Sequence, residues 1–331
     1  MKKVSMQDIA DQLGISRNSV SQALRNTDGV SEATKKAVIE TAHSLGYEYR
    51  EKQTNKQLGK ILLIATTFVF SQKSFFGEIV DSIRKNCEKN GYQLVTESLS
   101  REALRTFSLP NNIAEYTGII ILSHSDNLYI KKIIDYGLPC VLVDHHDPSL
   151  HADAILSKNT DGTYHAISLL FQNNNKRIGF IGDTAFSPSY LERYQGYKQA
   201  LADMDLVEDK SIEITSIEES QGALYTKLKE IETMPDAWFC ANSGLAFMLN
   251  SYLQSIGYMI PDDINIICYD DTEFTRMASP PITNVSTNLF YMGEVAVQTL
   301  IKRIKTIDDP LIHKQILPTL NIRESVRIIA Q

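Results

Sequence analysis

Residues 4–47 read VSMQDIADQLGISRNSVSQALRNTDGVSEATKKAVIETAHSLGY, and the spacing of their apolar side chains decides the N-terminal fold. Ser5 stands as an N-cap with Asp8 three residues on, a capping-box spacing. Met6, Ile9, Ala10 and Leu13 follow at helical intervals and predict a first helix with one buried stripe. Gly14 is suited to end that helix, since glycine takes a left-handed C′ conformation without strain. Ile15 fills the turn, and Ser16 caps a second helix whose inner face is Val20, Ala23 and Leu24. Ser31 caps a third, with Ala33, Ala37, Val38, Ala42 and Leu45 inward and Gly46 closing it. Two short helices joined by a tight turn and propped by a third make a helix-turn-helix unit.

In such a unit the start of the second helix enters the major groove of DNA. Here that segment offers Arg17, Asn18, Ser19, Ser21 and Gln22, all polar, opposite Val20, Ala23 and Leu24. Arginine pairs with guanine O6 and N7, while Asn and Gln can bind adenine in bidentate fashion. Ser5, Ser16 and Arg25 complete the candidate DNA contacts in this region. A small bundle used only for protein contacts would need no such donor-rich face.

Charge agrees with this division. Residues 1–60 hold ten Lys/Arg against seven Asp/Glu, and the remainder hold 23 against 33, so +3 and −10 give the net −7. A basic head on an acidic body suits a chain that meets phosphate at one end. With 331 residues and 43% hydrophobic composition, two or three domains are expected. Gln7, Asp8 and Asp11 interrupt any leader-like apolar run, and no stretch approaches the roughly 20 apolar residues of a membrane helix. Cys87, Cys140, Cys240 and Cys268 are far apart, without a C-x-x-C pair, and read as reduced core thiols. The expected location is cytoplasmic.

From residue 60 the texture changes. KILLIATTFVF is a continuous apolar run of the kind buried on both faces of a parallel sheet. Phe76, Ile79, Val80, Ile83 and Cys87 fall at helical spacing, and YQLVTE resumes a strand after Asn90–Gly91. The alternation continues through GIIIL, PCVLVD, DAILS and RIGFIG, then EITSI, AWFCA and INIICYD, with helices between them. Such regularity predicts parallel sheets with helices on both faces, in two similar lobes near 60–160 and 161–285. Ligands bind such sheets at the carboxyl ends of their strands, here in the cleft between the lobes.

The chain resembles the lactose-repressor family of bacterial transcription regulators from end to end. The resemblance is carried by the headpiece pattern, Val143–Asp144, RIGFIG, R-x-x-G-Y at Arg193–Tyr197, CAN at Cys240–Asn242, YDDTEF at Tyr269–Phe274 and SPPIT at Ser279–Thr283. It implies a headpiece at 1–49, a hinge at 50–59, and a dimerising two-lobed α/β core of periplasmic-binding-protein type I fold at 60–331. The N-lobe would hold about 60–160 plus 289–319, and the C-lobe about 161–288 plus 320–331. The partners implied are a pseudopalindromic double-stranded operator, a second copy of the chain and a small effector, most readily a sugar. A purine or nucleoside effector, and a small-molecule-binding protein that does not bind DNA, are the alternatives. No cofactor or catalytic residue is expected, since no P-loop, G-x-S-x-G or dinucleotide loop is present.

The departures are local. Where the family carries a Pro-Asn pair, an Ala-Arg and a leucine that wedges into the minor groove, this chain has polar Arg50 to Asn55 and then Lys56. Leu58 is left as a shifted wedge. Gln22 replaces a more usual arginine, and Asn242–Ser243 replaces an Asn-Asp pair. Family position assigns the effector to Phe75, Phe76, Asp144, Arg193, Asn242 and Asp270: aromatic rings cover the C–H faces of a sugar, and the polar groups bind its hydroxyls. Asp144-His145-His146-Asp147, with His151 and Asp153, invites a metal reading. Adjacent residues of an extended segment point to opposite sides, so a rim loop is the expectation and no metal is assigned.

Overall fold

The computed structural model describes residues 4–24, 29–47 and 58–328, in two units that divide after Leu58. Arg25, the hinge positions 50–57 and the tail 329–331 lie outside the described residues.

In the first unit α1 is Met6–Leu13, α2 Arg17–Leu24 and α3 Glu32–Ser44. The Asp8 carboxylate accepts from Ser5 N at 2.7 Å, the return half of a capping box. Ser16 Oγ accepts from Ser19 N at 3.0 Å and Ser31 Oγ from Thr34 N at 3.2 Å, so each following helix is capped. Gly14 has φ 64° and ψ 30°, the left-handed turn that an L side chain resists. Ile9, Ala10, Val20, Ala23, Leu24, Val38 and Ala42 close the core. Ala33 is exposed, contrary to the expectation that it faces inward. It lies about 140° around the helix from Val38, off the stripe that Val38 and Ala42 define.

The second unit holds two six-stranded sheets. Numbered along the chain, the strands are β1 Gly59–Thr66, β2 Tyr92–Leu99, β3 Gly118–Leu122, β4 Cys140–Val143, β5 Asp153–Ser157, β6 Ile178–Ile181, β7 Glu213–Ile214, β8 Ala237–Cys240, β9 Asn265–Tyr269, β10 Thr283–Ser286, β11 His313–Ile316 and β12 Thr319–Asn321. One sheet has the order β2-β1-β3-β4-β5-β11, all parallel. The other has the order β7-β6-β8-β9-β10-β12, parallel except for β12. The chain thus crosses between lobes three times, near 157–159, 287–289 and 316–319.

Strand periodicity explains the layering. Ile61, Leu63 and Ala65 enter one core cluster, while Leu62 and Ile64 enter another on the opposite face. In the second lobe Trp238, Cys240, Ile266 and Cys268 face one way, and Phe239, Ile267 and Tyr269 the other. Each buried Ile, Leu or Phe among them contributes roughly 1.5–3 kcal/mol, which is why these strands are nearly all apolar.

Two expectations are corrected. The run KILLIATTFVF is not one strand: β1 ends at Thr66, and Thr67–Ser71 forms a short helix. Thr66 Oγ1 caps it, accepting from Val69 N at 3.4 Å. EITSI also shortens, pairing only at Glu213 and Ile214. Among the described residues no helix is long and apolar enough to cross a membrane.

Candidate functional site

On α2 the predicted DNA-reading residues separate by accessibility. Arg17 and Asn18 are exposed in the first turn, while Ser19, Ser21 and Gln22 are half-buried. The Ser16 and Ser19 hydroxyls pair at 2.8 Å, and Ser5 Oγ donates to Asp8 at 2.7 Å, so these three serines also hold the helix starts. The Gln22 side chain lies beside Gly29. Leu58 is 62% exposed.

The core contains a cavity of about 420 Å³ at the carboxyl ends of the strands of both sheets. It lies where the strand order reverses, at β1/β3 in one lobe and β6/β8 in the other. Phe68 follows β1, Ser123 and His124 follow β3, and Asp144 follows β4. Phe186 follows β6, Glu219 β7, Asn242 β8 and Asp270 β9. All six residues assigned to the effector from the sequence line this cavity. Phe75 is half-buried and Phe76 is part of the core below, their rings perpendicular at 4.8 Å.

Arg193 is the fixed point. It sits on the helix Pro188–Asp203 and is 3% exposed. Its Nε donates to Asn159 Oδ1 at 3.0 Å and its Nη1 to the Ala241 carbonyl at 2.6 Å; both terminal nitrogens reach Asp270, at 3.3 and 3.4 Å. The guanidinium lies 3.7 Å from the centre of the Tyr269 ring. Burial raises the Asp270 pKa, with Arg193 opposing. Burial pushes the Asp144 carboxyl up to about 7, a rise that Arg193 limits and Asp270 adds to. Asp144 and Asp270 are each the first residue after a strand, with φ 55° and 72°, a left-handed kink that turns the chain at the cavity wall.

Asn242 does two things. Its Oδ1 caps the helix Ser243–Ser255 by accepting from Leu245 N at 2.8 Å, and its Nδ2 donates to Glu219 Oε2 at 2.8 Å. Tyr190 donates its hydroxyl to Glu219 at 2.8 Å, and burial, then Glu219, hold that phenol well above its usual pKa. Ser243, in place of the family's acid, pairs with Thr272 at 2.8 Å.

Sequence reading missed Tyr190, Glu219, Phe68, Phe186, Phe247 and Phe274, which also line the cavity. Glu219 alone carried a signal, its place just past an expected strand. Phe186 meets Phe68 and His124 of the other lobe, at ring-centre distances of 6.1 and 4.7 Å. The two histidines of the rim loop diverge: His145 Nε2 meets Asn127 at 2.9 Å and His146 Nε2 meets Glu192 at 3.5 Å. Burial, with His124 and His146, lowers His145 to about 4.

Comparison with known proteins finds a match in each unit. Residues 5–48 match the family of bacterial regulatory proteins of the lacI type, and residues 167–326 match the periplasmic binding protein-like domain. The HTH-type transcriptional repressor PurR of Mannheimia succiniciproducens is 28% identical over 98% of this chain and 99% of its own length. The ribose operon repressor of Haemophilus influenzae is 26% identical over 97% of this chain and 98% of its own. Among solved structures, a transcriptional regulator CelR–cellobiose complex superposes with a TM-score of 0.72 at 22% identity, covering 97% of this chain and 99% of that one. A lac repressor dimer bound to operator and the anti-inducer ONPF gives 0.71 at 21%, covering 98% and 99%. With a lacI headpiece in its first unit and a periplasmic-binding-protein-like core in its second, the chain belongs to the LacI family of bacterial transcription regulators.

Proposed function

We propose that this regulator is a cytoplasmic, non-catalytic repressor that binds a pseudopalindromic operator as a homodimer and is controlled by a sugar in the core cavity. The observation that carries the reading is the cavity itself. Strand ends of both lobes converge on it with aromatic rings, carboxylates and one buried arginine, a lining suited to the apolar faces and hydroxyl edges of a sugar. The exposed Arg17 and Asn18, with Ser21 and Gln22, supply the base-reading groups. One headpiece reads one half-site, so symmetry requires a pair.

A ligand touching both lobes favours their closure, and closure is coupled to the spacing of the two headpieces in the dimer. The coupling must be reciprocal: operator DNA changes effector affinity by the same factor as effector changes operator affinity, typically about 5–150-fold. The test is effector affinity measured with and without operator, after a thermal-shift screen of sugars and nucleosides has found the ligand. A difference in affinity is expected. Identical affinities would show that there is no switch, and a response to nucleosides alone would move the effector to that class.

A further inference from the structure

We infer that the effector carries a positive charge, as an amine-bearing sugar whose ammonium group meets Asp144. This rests on the cavity being the sugar site. Three carboxylates line it, those of Asp144, Glu219 and Asp270, against one arginine. Four of the five N–H donors of Arg193 go to Asp270, Asn159 and the Ala241 carbonyl, and its charge is already paired with Asp270. Among the described residues no lysine lines the cavity, and burial lowers the pKa of its one histidine, His124, towards the neutral form. Among the described residues Glu219 is met only by the neutral donors Tyr190 and Asn242. The Asp144 carboxyl is half-buried at the cavity wall, and its one hydrogen bond among the described residues is a long one, 3.4 Å, from Ser189 Oγ.

The cavity therefore holds more negative than positive charge, and among the described residues the Asp144 carboxyl is answered only by the long contact from the Ser189 hydroxyl. A phosphate or carboxylate on the ligand would face these acids with no free cation to receive it, and like charges at this range repel strongly. An ammonium supplies what is missing, with three donors and one charge, and the aromatic wall of Phe68 and Phe186 favours a cation over its ring faces. Burial raises the Asp144 pKa to about 7 despite Arg193 and Ser189, and a positive charge placed beside it lowers that value and favours the carboxylate.

The experiment uses the full chain and matched sugars. Glucosamine, galactosamine and mannosamine are compared with glucose, galactose, mannose, N-acetylglucosamine and glucose 6-phosphate, by thermal shift and then by calorimetric titration near pH 7. At least one hexosamine is expected to bind about tenfold or more tighter than its neutral parent. Asp144→Asn is expected to remove that preference while sparing the fold. A neutral sugar or N-acetylglucosamine binding as tightly as the amine overturns the inference and leaves the sugar site standing. So does a tighter glucose 6-phosphate whose binding responds to Asp144→Asn. No shift from any of the panel overturns both.

Discussion

Asp144 and Asp270 hold equivalent places in different lobes, each one residue past its strand in a left-handed kink. The kinks are anchored in the sheets: Asp144 N donates to Ile155 O at 2.9 Å and Asp270 N to Val285 O at 2.7 Å. Only Asp270 has the arginine at contact distance. Burial raises the Asp144 pKa from 3.8 to about 7; Arg193 and Ser189 pull it down, while Asp270 and Glu192 push it up. The folded core thus holds a proton there that the unfolded chain releases near pH 4. Stability from this group is complete below about 3.8 and is lost as pH rises through 7. Asp144→Asn should raise the melting temperature of the ligand-free protein at pH 8 and leave it nearly unchanged at pH 4. An equal gain at both pH values would place the effect outside proton linkage. Both aspartates were legible in the sequence because each follows an unmistakable apolar strand. Tyr190 was not, and Glu219 showed only its place past a strand, since their pairing across 29 residues depends on how a helix start meets a strand end.

The helix Pro188–Asp203 carries the site by lying close against the helix Asn159–Gln172. Gly196 makes that approach possible: a Cβ there would stand 2.3 Å from the Thr160 carbonyl oxygen. Three residues earlier on the same face, Arg193 reaches Asn159. Gly196→Ala should force the helices apart, costing about 1–3 kcal/mol and weakening effector binding through the displaced arginine. Chemical denaturation and ligand titration of the variant check this, and unchanged affinity would show that Arg193 tolerates the shift. The R-x-x-G-Y motif was readable as a family mark, but its physical reason is a contact between two helices. The short helix Thr67–Ser71 shows the converse. Its TFVFS sequence favours a strand, and capping by Thr66 together with the end of sheet pairing decides otherwise.

The two lobes are interleaved rather than strung in series. Ser157 Oγ meets Thr287 Oγ1 and also Tyr269 OH, the latter at 2.9 Å, and Lys158 N donates to Ile316 O at 2.9 Å, so the three crossings are tied to one another. Periodicity in the sequence showed two runs of alternating strands and helices, but a crossing has no period of its own and shows only in the pairing of distant strands. Sedimentation of the whole chain should report a dimer; a tetramer or a concentration-independent monomer would contradict the operator symmetry proposed above. The interleaving also governs the order in which the molecule can be made. A ribosome delivers β1 to β5 first, yet the strand that completes their sheet, β11, emerges only after β6 to β10. Until then β5 presents an open edge, the kind of surface that recruits other chains. A nascent chain stopped at residue 305 lacks the outer strand of both sheets, and it should collect in aggregates where the full chain stays dispersed. Neither sheet can be finished before the other is nearly complete, so completion of the two-lobed core waits until β11 and β12 have both emerged.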